Sequence, residues 1–373
     1  MAAENPAMDR KVGKNNLLRI GYVPYSETYS APGDYRRFVA YARTKNLFFE
    51  NARPDLHYDL VVLSERADIS IWSRYPHGKI VYDFIDSYLA IPRTDIKQWM
   101  RGLAKYLMRQ SRRLQLDYWR ALSEMCARAD AVVCTTDEQR QHIIRYCPNA
   151  HVILDIHSAV THQVKTDYAI KKPVKIVWEG LPGNLYQLRS IRKTLFRLRE
   201  RYPLELHVVT DLYGPRFLGH LGRINSEQLA RKCFEPVVME AWSQEKLAQS
   251  ICACDIAIIP INMNDPLTMG KPENKLLLFW RMGMPVVTSA TPAYRRAMER
   301  SGVGLSCEDE SQWFTTLERL IVDESLRRYT GEMGKVYANR YFGEEVIIRR
   351  WDSLFLSMGF DFSLSGASSA CAG

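Results

Sequence analysis

Short apolar runs alternate with helical segments along this chain, and no other feature constrains the fold as strongly. The runs are continuous rather than alternately polar, which is typical of strands covered on both faces. Helical segments such as Ser190–Arg201 and Gln244–Cys252 separate them. This order predicts an α/β fold with parallel, doubly wound sheets. The predicted strands are Leu17–Val23, Leu60–Leu63, Lys79–Asp83, Ala131–Cys134, His151–Leu154, Val174–Trp178, Glu205–Thr210, Val237–Met239, Ile256–Pro260 and Pro285–Thr288.

The strand pattern restarts after the charged, proline-ended stretch Thr166–Pro173. A chain of 373 residues is also longer than one hydrophobic core usually serves. We therefore predict two Rossmann-like domains, residues 15–165 and 172–340, that face a central cleft. A last helix is expected over residues 341–358, and the small, polar tail 359–373 is expected to be disordered. Ligands of such sheets bind at the carboxyl ends of the strands, so the cleft is the expected site.

Net charge and cysteine content limit the classes of ligand and partner that this chain is expected to bind. The 51 Lys and Arg residues exceed the 42 Asp and Glu residues, which favours a phosphorylated ligand, an anionic membrane or nucleic acid. The sequence has no helix-turn-helix, finger or RNA-recognition signature, so we expect no nucleic-acid partner. Eight cysteines without a CxxC spacing predict reduced thiols and no metal site. Without an apolar run of ~20 residues or a signal peptide, a cytoplasmic location is expected.

The segment Met269–Ser289 is the most informative stretch for chemistry. A Gly-Lys-Pro turn leads into a predicted helix, Glu273–Met282, and Lys271 and Lys275 flank its start. Free amides and the positive end of a helix attract phosphate. The segment therefore predicts a diphosphate site, and the alternative is a capped surface helix with incidental lysines.

The stretch KPENKLLLFWRMGMPVVTS resembles the donor-binding segment of GT-B glycosyltransferases, in the large retaining family that uses nucleotide sugars (group 1, or family 4-like). Gly283–Val287 match the Gly-x-Pro-Val-Val ending, and Cys254–Pro260 resembles the preceding strand. The resemblance extends from about Val174 to Trp351. It implies the two-domain GT-B architecture, with the C-terminal helix packing back.

The resemblance further implies sugar transfer from a nucleoside-diphosphate sugar to a glycan or lipid-linked acceptor, as in polysaccharide biosynthesis. It implies retention of configuration and no cofactor beyond the sugar nucleotide. The sequence has no DxD triplet of the kind found in metal-dependent glycosyltransferases, so we expect no metal. Many members carry two glutamates around the donor helix, and these positions are Gly270 and Leu278 here. Two alternatives stay open: a nucleotide-sugar 2-epimerase, and a non-catalytic scaffold that binds a membrane surface or glycans.

Donor contacts are expected at the strand ends of the second half. The turn WEGLPGNL allows close backbone approach through its glycines, although an ordinary glycine turn would look the same. The resemblance places the loop after Val237–Met239 near the nucleotide base, where an aromatic ring can stack. The predicted donor-binding residues are Trp178, Gly180, Gly183, Asn184, Asp211, Glu240, Trp242, Lys271, Glu273, Asn274 and Lys275.

Acceptor contacts are expected in the first half. The loop APGDYRRF supplies a turn and polar groups near a helix start, and paired arginines suit a phosphate or an acidic sugar. Two carboxylates, Asp83 and Asp86, follow a strand end and are the predicted catalytic residues; one can act as a base. Glu65, after another strand, is a lesser candidate. The predicted acceptor-binding residues are Gly33, Asp34, Arg36 and Arg37.

A basic amphipathic helix is predicted within Ile96–Arg113. Basic residues recur at every fourth position, beside an apolar stripe that contains Met100 and Leu107. Such a helix suits the anionic inner face of a membrane, where the protein would be peripheral. The alternative is a helix packed on the core by its apolar stripe, with a solvated basic face. The basic residues are Lys97, Arg101, Lys105 and Arg109.

Overall fold

Two parallel sheets form the centre of the molecule. The computed structural model describes residues 18–93, 95–215 and 222–362. The first sheet contains β1 (Ile20–Val23), β2 (Glu50–Asn51), β3 (Leu60–Leu63), β4 (Lys79–Asp83), β5 (Ala131–Cys134) and β6 (Ala150–Val152). The second contains β7 (Val174–Glu179), β8 (Leu204–Thr210), β11 (Val237–Ala241), β12 (Ile256–Ile259), β13 (Val286–Ser289) and β14 (Ser306–Cys307). A separate antiparallel pair is formed by β9 (Tyr213–Pro215) and β10 (Arg223–Asn225).

Helices connect the strands and cover the sheets. In chain order they are α1 (Pro32–Tyr35), α2 (Phe38–Thr44), α3 (Ile69–Trp72), α4 (Ile96–Leu107), α5 (Tyr118–Arg128), α6 (Asp137–Ile143), α7 (Arg192–Arg199), α8 (Ser226–Cys233), α9 (Leu247–Cys252), α10 (Pro266–Met269), α11 (Asn274–Arg281), α12 (Pro292–Ser301), α13 (Glu310–Val322), α14 (Glu324–Phe342) and α15 (Glu344–Ser357). The 3-10 segments are Tyr88–Ala90, Ser158–Val160 and Pro182–Ile191.

The strand orders are those of two Rossmann-like sheets. The first sheet runs β2-β1-β3-β4-β5-β6 and the second runs β11-β8-β7-β12-β13-β14, with every ladder in both sheets parallel. Parallel strands need crossover helices on both faces, which explains the continuous apolar runs such as Leu60–Leu63. The predicted α/β class is confirmed.

The C-terminal helix returns to the first domain. In α15, the ring of Trp351 lies 5.8 Å from that of Tyr41 in α2. The carboxylate of Asp352 accepts a hydrogen bond of 2.9 Å from Lys45. The chain thus crosses between the two sheets twice, once after β6 and once before α15, and the predicted return of this helix is confirmed.

The structure also shows elements that the sequence pattern missed. Strands β2 and β14 have two residues each, which is too short for a recognisable apolar run. The pair β9–β10 is mostly exposed and carries no apolar pattern. The segment Pro182–Ile191 is a 3-10 stretch, so the helix expected from Ser190 begins only at Arg192.

The predicted disordered tail is partly ordered. Phe362 is buried, and its ring lies 5.2 Å from that of Phe355 in α15. Disorder from Gly359 is therefore wrong as far as Phe362, because this aromatic side chain finds a packing partner. The rest of the tail, 363–373, lies outside the described residues, as does Leu17 of the first predicted strand.

Two further observations concern cysteines and membrane spans. The seven cysteines in the described ranges are all unpaired, and six of them are buried; Cys371 lies outside these ranges. Across the same residues, no helix has the length and apolar character needed to cross a bilayer.

Candidate functional site

The amino end of α11 faces the first domain. Before this helix, the carbonyl oxygen of Gly270 accepts a hydrogen bond of 3.2 Å from the Ser87 hydroxyl. The ammonium of Lys271 lies 3.4 Å from Oδ1 of Asp86. Both contacts join residues more than 180 positions apart in sequence, so the tip of the helix lies between the two domains.

Lys275 is held in the first turn of α11 by the end of β7. Its ammonium donates to the backbone oxygen of Glu179 and lies 3.5 Å from the carboxylate of that residue. It also lies 5.1 Å from the ring centre of Trp178. A Cβ on Gly180 would lie 2.6 Å from this ammonium, so the glycine leaves room for Lys275 in its present position.

Three cationic groups converge at this tip. Burial lowers the pKa of Lys275, and the neighbouring charges of Lys271 and Arg36 lower it further, while Glu179 opposes the shift. Arg36 comes from the first domain, and its Nε has no hydrogen-bond partner within the described ranges. Lys271 and Lys275 keep 33% and 24% of their side-chain area exposed, so a ligand can reach them. The tip can therefore hold an anion with multiple charges.

Asn274 and Glu273 were predicted to contact the donor, but their side chains contact or face other parts of the protein. The side-chain oxygen of Asn274 accepts a hydrogen bond of 3.0 Å from the backbone amide of Asp155, which joins the domains. Glu273 is buried, and burial raises the pKa of its carboxyl to about 7. Its Oε2 is inaccessible and unpaired among the residues described. The placement of Glu273 does not support contact with a donor.

The glycine turn after β7 does not begin an α-helix. Asn184 lies inside the 3-10 segment, and its amide donates to the oxygen of Leu181 at 2.8 Å rather than capping a helix. Gly183 is exposed, with open space where a Cβ would be. Trp178 is buried, and the Lys275 ammonium lies over its ring.

Three further predicted donor residues, Asp211, Glu240 and Trp242, lie on or directly after strands β8 and β11 of the second sheet. Asp211 is exposed directly after β8. In β11, Oε1 of Glu240 lies 3.6 Å from Nδ1 of His207, and the following Trp242 packs partly buried against the core. Strands β8 and β7 separate β11 from β12, the strand that leads towards α11.

The first domain contributes a pair of carboxyl groups to the cleft. Asp86 pairs with Lys271, accepts a hydrogen bond of 3.1 Å from Tyr88, and donates its own amide to Oε2 of Glu65 at 3.2 Å. Burial, followed by the charge of Asp86, raises the pKa of Glu65 to about 8, against the opposing charges of Lys105 and Lys271. Glu65 is therefore largely protonated at neutral pH. Its position directly after a buried strand was the sequence signal for it.

Asp83 and Arg37 are packed inside the first domain and do not face the cleft. The guanidinium of Arg37 makes two hydrogen bonds to Asp83, of 2.6 and 2.7 Å, and one of 2.9 Å to Asp155. The side chains of Arg37 and Asp83 are only 1% and 2% exposed. Because substrate cannot reach either group, the structure corrects their predicted catalytic and acceptor-binding roles to structural ones.

Asp34 and Gly33 shape the loop after β1. The fully buried Asp34 carboxylate accepts hydrogen bonds from the amides of Tyr25 and Ser26 and from the hydroxyl of Tyr22, at 2.7–2.9 Å. A Cβ on Gly33 would lie 2.5 Å from the Tyr25 ring. The prediction that Asp34 binds the acceptor is thus corrected, because its oxygens already hold the loop.

Helix α4 does not pack on the core through Met100 and Leu107, as the alternative with a core-packed apolar stripe would require. Its Met100 and Leu107 side chains are 57% and 70% exposed. Arg101 instead stacks on a ring of the first domain, and Lys105 hydrogen-bonds inwards. A solvated basic face is therefore wrong for these two residues. Lys97 is in α4, but its side chain, like those of the neighbouring residues 96, 98 and 99, lies outside the described part.

A metal centre is not formed by the described side chains: no group of three His, Cys, Asp or Glu residues among them has a suitable arrangement. None of the described histidines takes part in such a group. His157 is buried at the domain junction, and its Nδ1 contacts the guanidinium of Arg281. Burial and this cation hold the pKa of His157 well below its ordinary value.

Comparison with known proteins supports the fold. No family model and no curated protein sequence matches the chain. A lipopolysaccharide outer core galactosyltransferase, WaaB, has a TM-score of 0.58 at 12% identity and covers 91% of this chain and 100% of its own. A glycosyltransferase from Rickettsia africae has a TM-score of 0.58 at 10% identity, covering 92% and 99%. Sucrose-phosphate synthase from Thermosynechococcus elongatus has a TM-score of 0.55 at 14% identity, covering 81% and 74%. The expected two-domain GT-B fold is confirmed.

Proposed function

We propose that this chain, which has the GT-B fold of those glycosyltransferases, transfers a sugar from a nucleoside-diphosphate sugar to a hydroxyl group of an acceptor. The observation that carries the proposal is the convergence of Lys271, Lys275 and Arg36 at the amino end of α11. This site offers helix amides and three cations from two domains where the tip of α11 contacts the first domain. A diphosphate matches that charge.

The proposed chemistry uses this tip to stabilise the leaving group. The bond from the anomeric carbon to the diphosphate oxygen breaks as the bond to the acceptor oxygen forms, and negative charge develops on the departing diphosphate. Lys271, Lys275 and the α11 amides offset that charge in place, a role that a metal has in other enzymes. We propose metal-independent transfer for this reason, and retention of configuration from the resemblance of Lys271–Ser289 to the retaining family.

Asp86 is the proposed partner of the acceptor hydroxyl. Its carboxylate is in the cleft opposite the α11 tip, and it can accept the proton that the hydroxyl loses. Glu65, protonated beside it, can donate a hydrogen bond to another acceptor hydroxyl. The two carboxyl groups therefore have different roles because their environments differ.

A glycan or lipid-linked acceptor is proposed from the surface beside this site. Met100 and Leu107 of α4 are exposed, as are Leu114 and Leu116, which follow the helix. Basic residues lie among them, including the exposed Arg113. An exposed apolar patch with cationic neighbours suits the anionic inner face of a membrane, and we propose peripheral attachment there.

Transfer is favoured over epimerisation by the surroundings of His157, the buried histidine at the domain junction. A 2-epimerase needs acid and base groups around the sugar, but His157 is buried, neutral and bound to Arg281. A scaffold that binds only a membrane or glycans does not need Lys271, Lys275 and Arg36 gathered at one helix end. Neither alternative explains the cation group as well as a diphosphate does.

The test is a panel of sugar nucleotides incubated with the protein, with and without prenyl-phosphate-linked and soluble glycan acceptors, and read as free nucleoside diphosphate. The proposal predicts release that depends on an acceptor. Conversion of the sugar nucleotide to its 2-epimer without an acceptor would favour the epimerase. If no nucleoside diphosphate binds or is released, the scaffold alternative replaces the enzyme.

A further inference from the structure

The inward face of α4 carries two cations that the proposed reaction does not use. Arg101 and Lys105 are four residues apart in the helix and therefore project from the same face. The guanidinium carbon of Arg101 lies 3.8 Å from the centre of the Tyr88 ring. The ammonium of Lys105 donates a hydrogen bond of 2.6 Å to the hydroxyl of Tyr118. Both side chains are partly buried rather than solvated.

This face continues into the carboxyl pair of the cleft. Arg101 covers the ring of Tyr88, and the hydroxyl of Tyr88 donates a hydrogen bond of 3.1 Å to the carboxylate of Asp86. Asp86 in turn donates its amide to Glu65 at 3.2 Å, and the charge of Lys105 acts on the Glu65 carboxyl. Arg101 is therefore linked through Tyr88 to the carboxyl pair of Asp86 and Glu65, and Lys105 acts on the same pair through its charge.

Neither of these two cations has an ion-pair partner among the described residues. Within residues 18–93, 95–215 and 222–362, Arg101 and Lys105 form no salt bridge with a carboxylate. Glu65 and Asp68 act on Lys105 through their charge without pairing with it, and burial still lowers the pKa of its ammonium. A partly buried cation without a paired carboxylate costs free energy, and an anionic ligand would reduce that cost.

We propose that Arg101 and Lys105 bind a phosphate group of the acceptor, beside the hydroxyl that Asp86 holds. The inference rests on the proposed function and adds the chemical class of its second substrate. Arginine and lysine together suit phosphate, which accepts hydrogen bonds from a guanidinium edge and from an ammonium. The phosphate belongs either to a soluble sugar phosphate or to a membrane-borne lipid phosphate.

The lipid source agrees with the opposite face of the same helix. Met100 and Leu107 are exposed on the outer side of α4, and Arg101 and Lys105 are on its inner side. A phosphate linked to a prenyl chain would place its charge on the inner face while its chain and the outer apolar face share one bilayer. A soluble sugar phosphate would use the inner face alone.

Binding in the presence of saturating nucleoside diphosphate tests the inference. The probes are glucose 1-phosphate against glucose, and phosphatidylcholine vesicles containing farnesyl phosphate against vesicles containing farnesol. The variant is Arg101→Gln/Lys105→Gln. Its control, Arg43→Gln/Arg145→Gln, removes the same charge from exposed positions of the first domain. We expect a phosphate probe to bind at least about tenfold more tightly than its neutral counterpart, and the variant but not the control to lose this preference.

The outcomes separate this inference from the proposed function. If the wild type binds nucleoside diphosphate but shows equal affinity for phosphate and neutral probes, or if variant and control behave alike, the phosphate site is refuted while the donor site stands. Loss of nucleoside-diphosphate binding in the wild type would refute the proposed function itself. Arg101→Lys/Lys105→Arg, which keeps both charges, should restore part of the preference and so excludes loss of folding as the cause.

Discussion

The ammonium of Lys271 lies 3.4 Å from Oδ1 of Asp86, so that the amino end of α11 meets the first domain at a carboxylate. This contact places a cation of the proposed donor site against the proposed acceptor-activating group. A diphosphate and an acceptor hydroxyl bound on either side of this pair would be neighbours. The contact therefore joins the proposed donor site and the proposed acceptor site.

Replacing Asp86 by asparagine should slow sugar transfer without weakening the binding of the donor nucleotide. The asparagine keeps the size and hydrogen-bonding shape of the side chain but cannot accept a proton from the acceptor. We expect kcat to fall by about 10²–10⁴-fold, with nucleoside-diphosphate affinity changed less than threefold by calorimetry. Unaltered kcat would remove Asp86 from the catalytic account.

Replacing Glu273 by glutamine should change how stability depends on pH. The folded pKa of Glu273, about 7, is above its ordinary value of 4.5, so its contribution to stability is complete below pH 4.5 and is lost as pH rises through 7. Glutamine does not ionise, so relative to wild type the variant should gain about 3 kcal/mol between pH 4 and pH 8. Thermal unfolding measured at both pH values checks this. The control Glu345→Gln, at a 91% exposed side chain, should show no such gain.

The buried pair of Arg37 and Asp83 should behave as a unit. Arg37→Met leaves a buried carboxylate without its partner and should cost about 3–5 kcal/mol in urea unfolding. The double variant Arg37→Met/Asp83→Asn should cost less than the sum of the two single changes, because the fully buried carboxylate is then gone and only the partly exposed Asp155 loses its partner. Additive costs would show that the two side chains do not depend on each other.

The outer face of α4 should mediate membrane attachment. Met100→Ser/Leu107→Ser removes exposed apolar area and should reduce sedimentation with anionic vesicles about tenfold or more at low salt. The control is Leu356→Ser, which removes a leucine that is 62% exposed on α15. Vesicle binding that is equal in both variants would exclude this face from membrane attachment.

The fold was predictable where the chain repeats a simple physical pattern. Continuous apolar runs such as Leu60–Leu63 predict strands of a covered parallel sheet, and both sheets follow from them. Strand β2 and the pair β9–β10 were missed because they are short or exposed, so burial leaves no signal in their sequence. These elements depend on tertiary contacts.

The site was only partly predictable, because sequence position indicates proximity to a strand end but not the direction of a side chain. Asp86 was predicted after a strand end and Lys271 at a helix start, and the structure brings them together. Asp83, three residues before Asp86, points instead into the core towards Arg37. The orientation of α4 was likewise hidden, since an amphipathic pattern does not say which face meets the protein.

Calorimetric titration with nucleoside diphosphates tests the central proposal most directly. We expect the wild type to bind at least one of UDP, GDP and ADP, and Lys275→Ala to bind it at least about tenfold more weakly. The matched control, Lys193→Ala, removes an exposed lysine from α7 of the same domain and should bind as the wild type does. Equal affinity of Lys275→Ala and Lys193→Ala, with both variants folded, would contradict the assignment of the α11 tip as the diphosphate site.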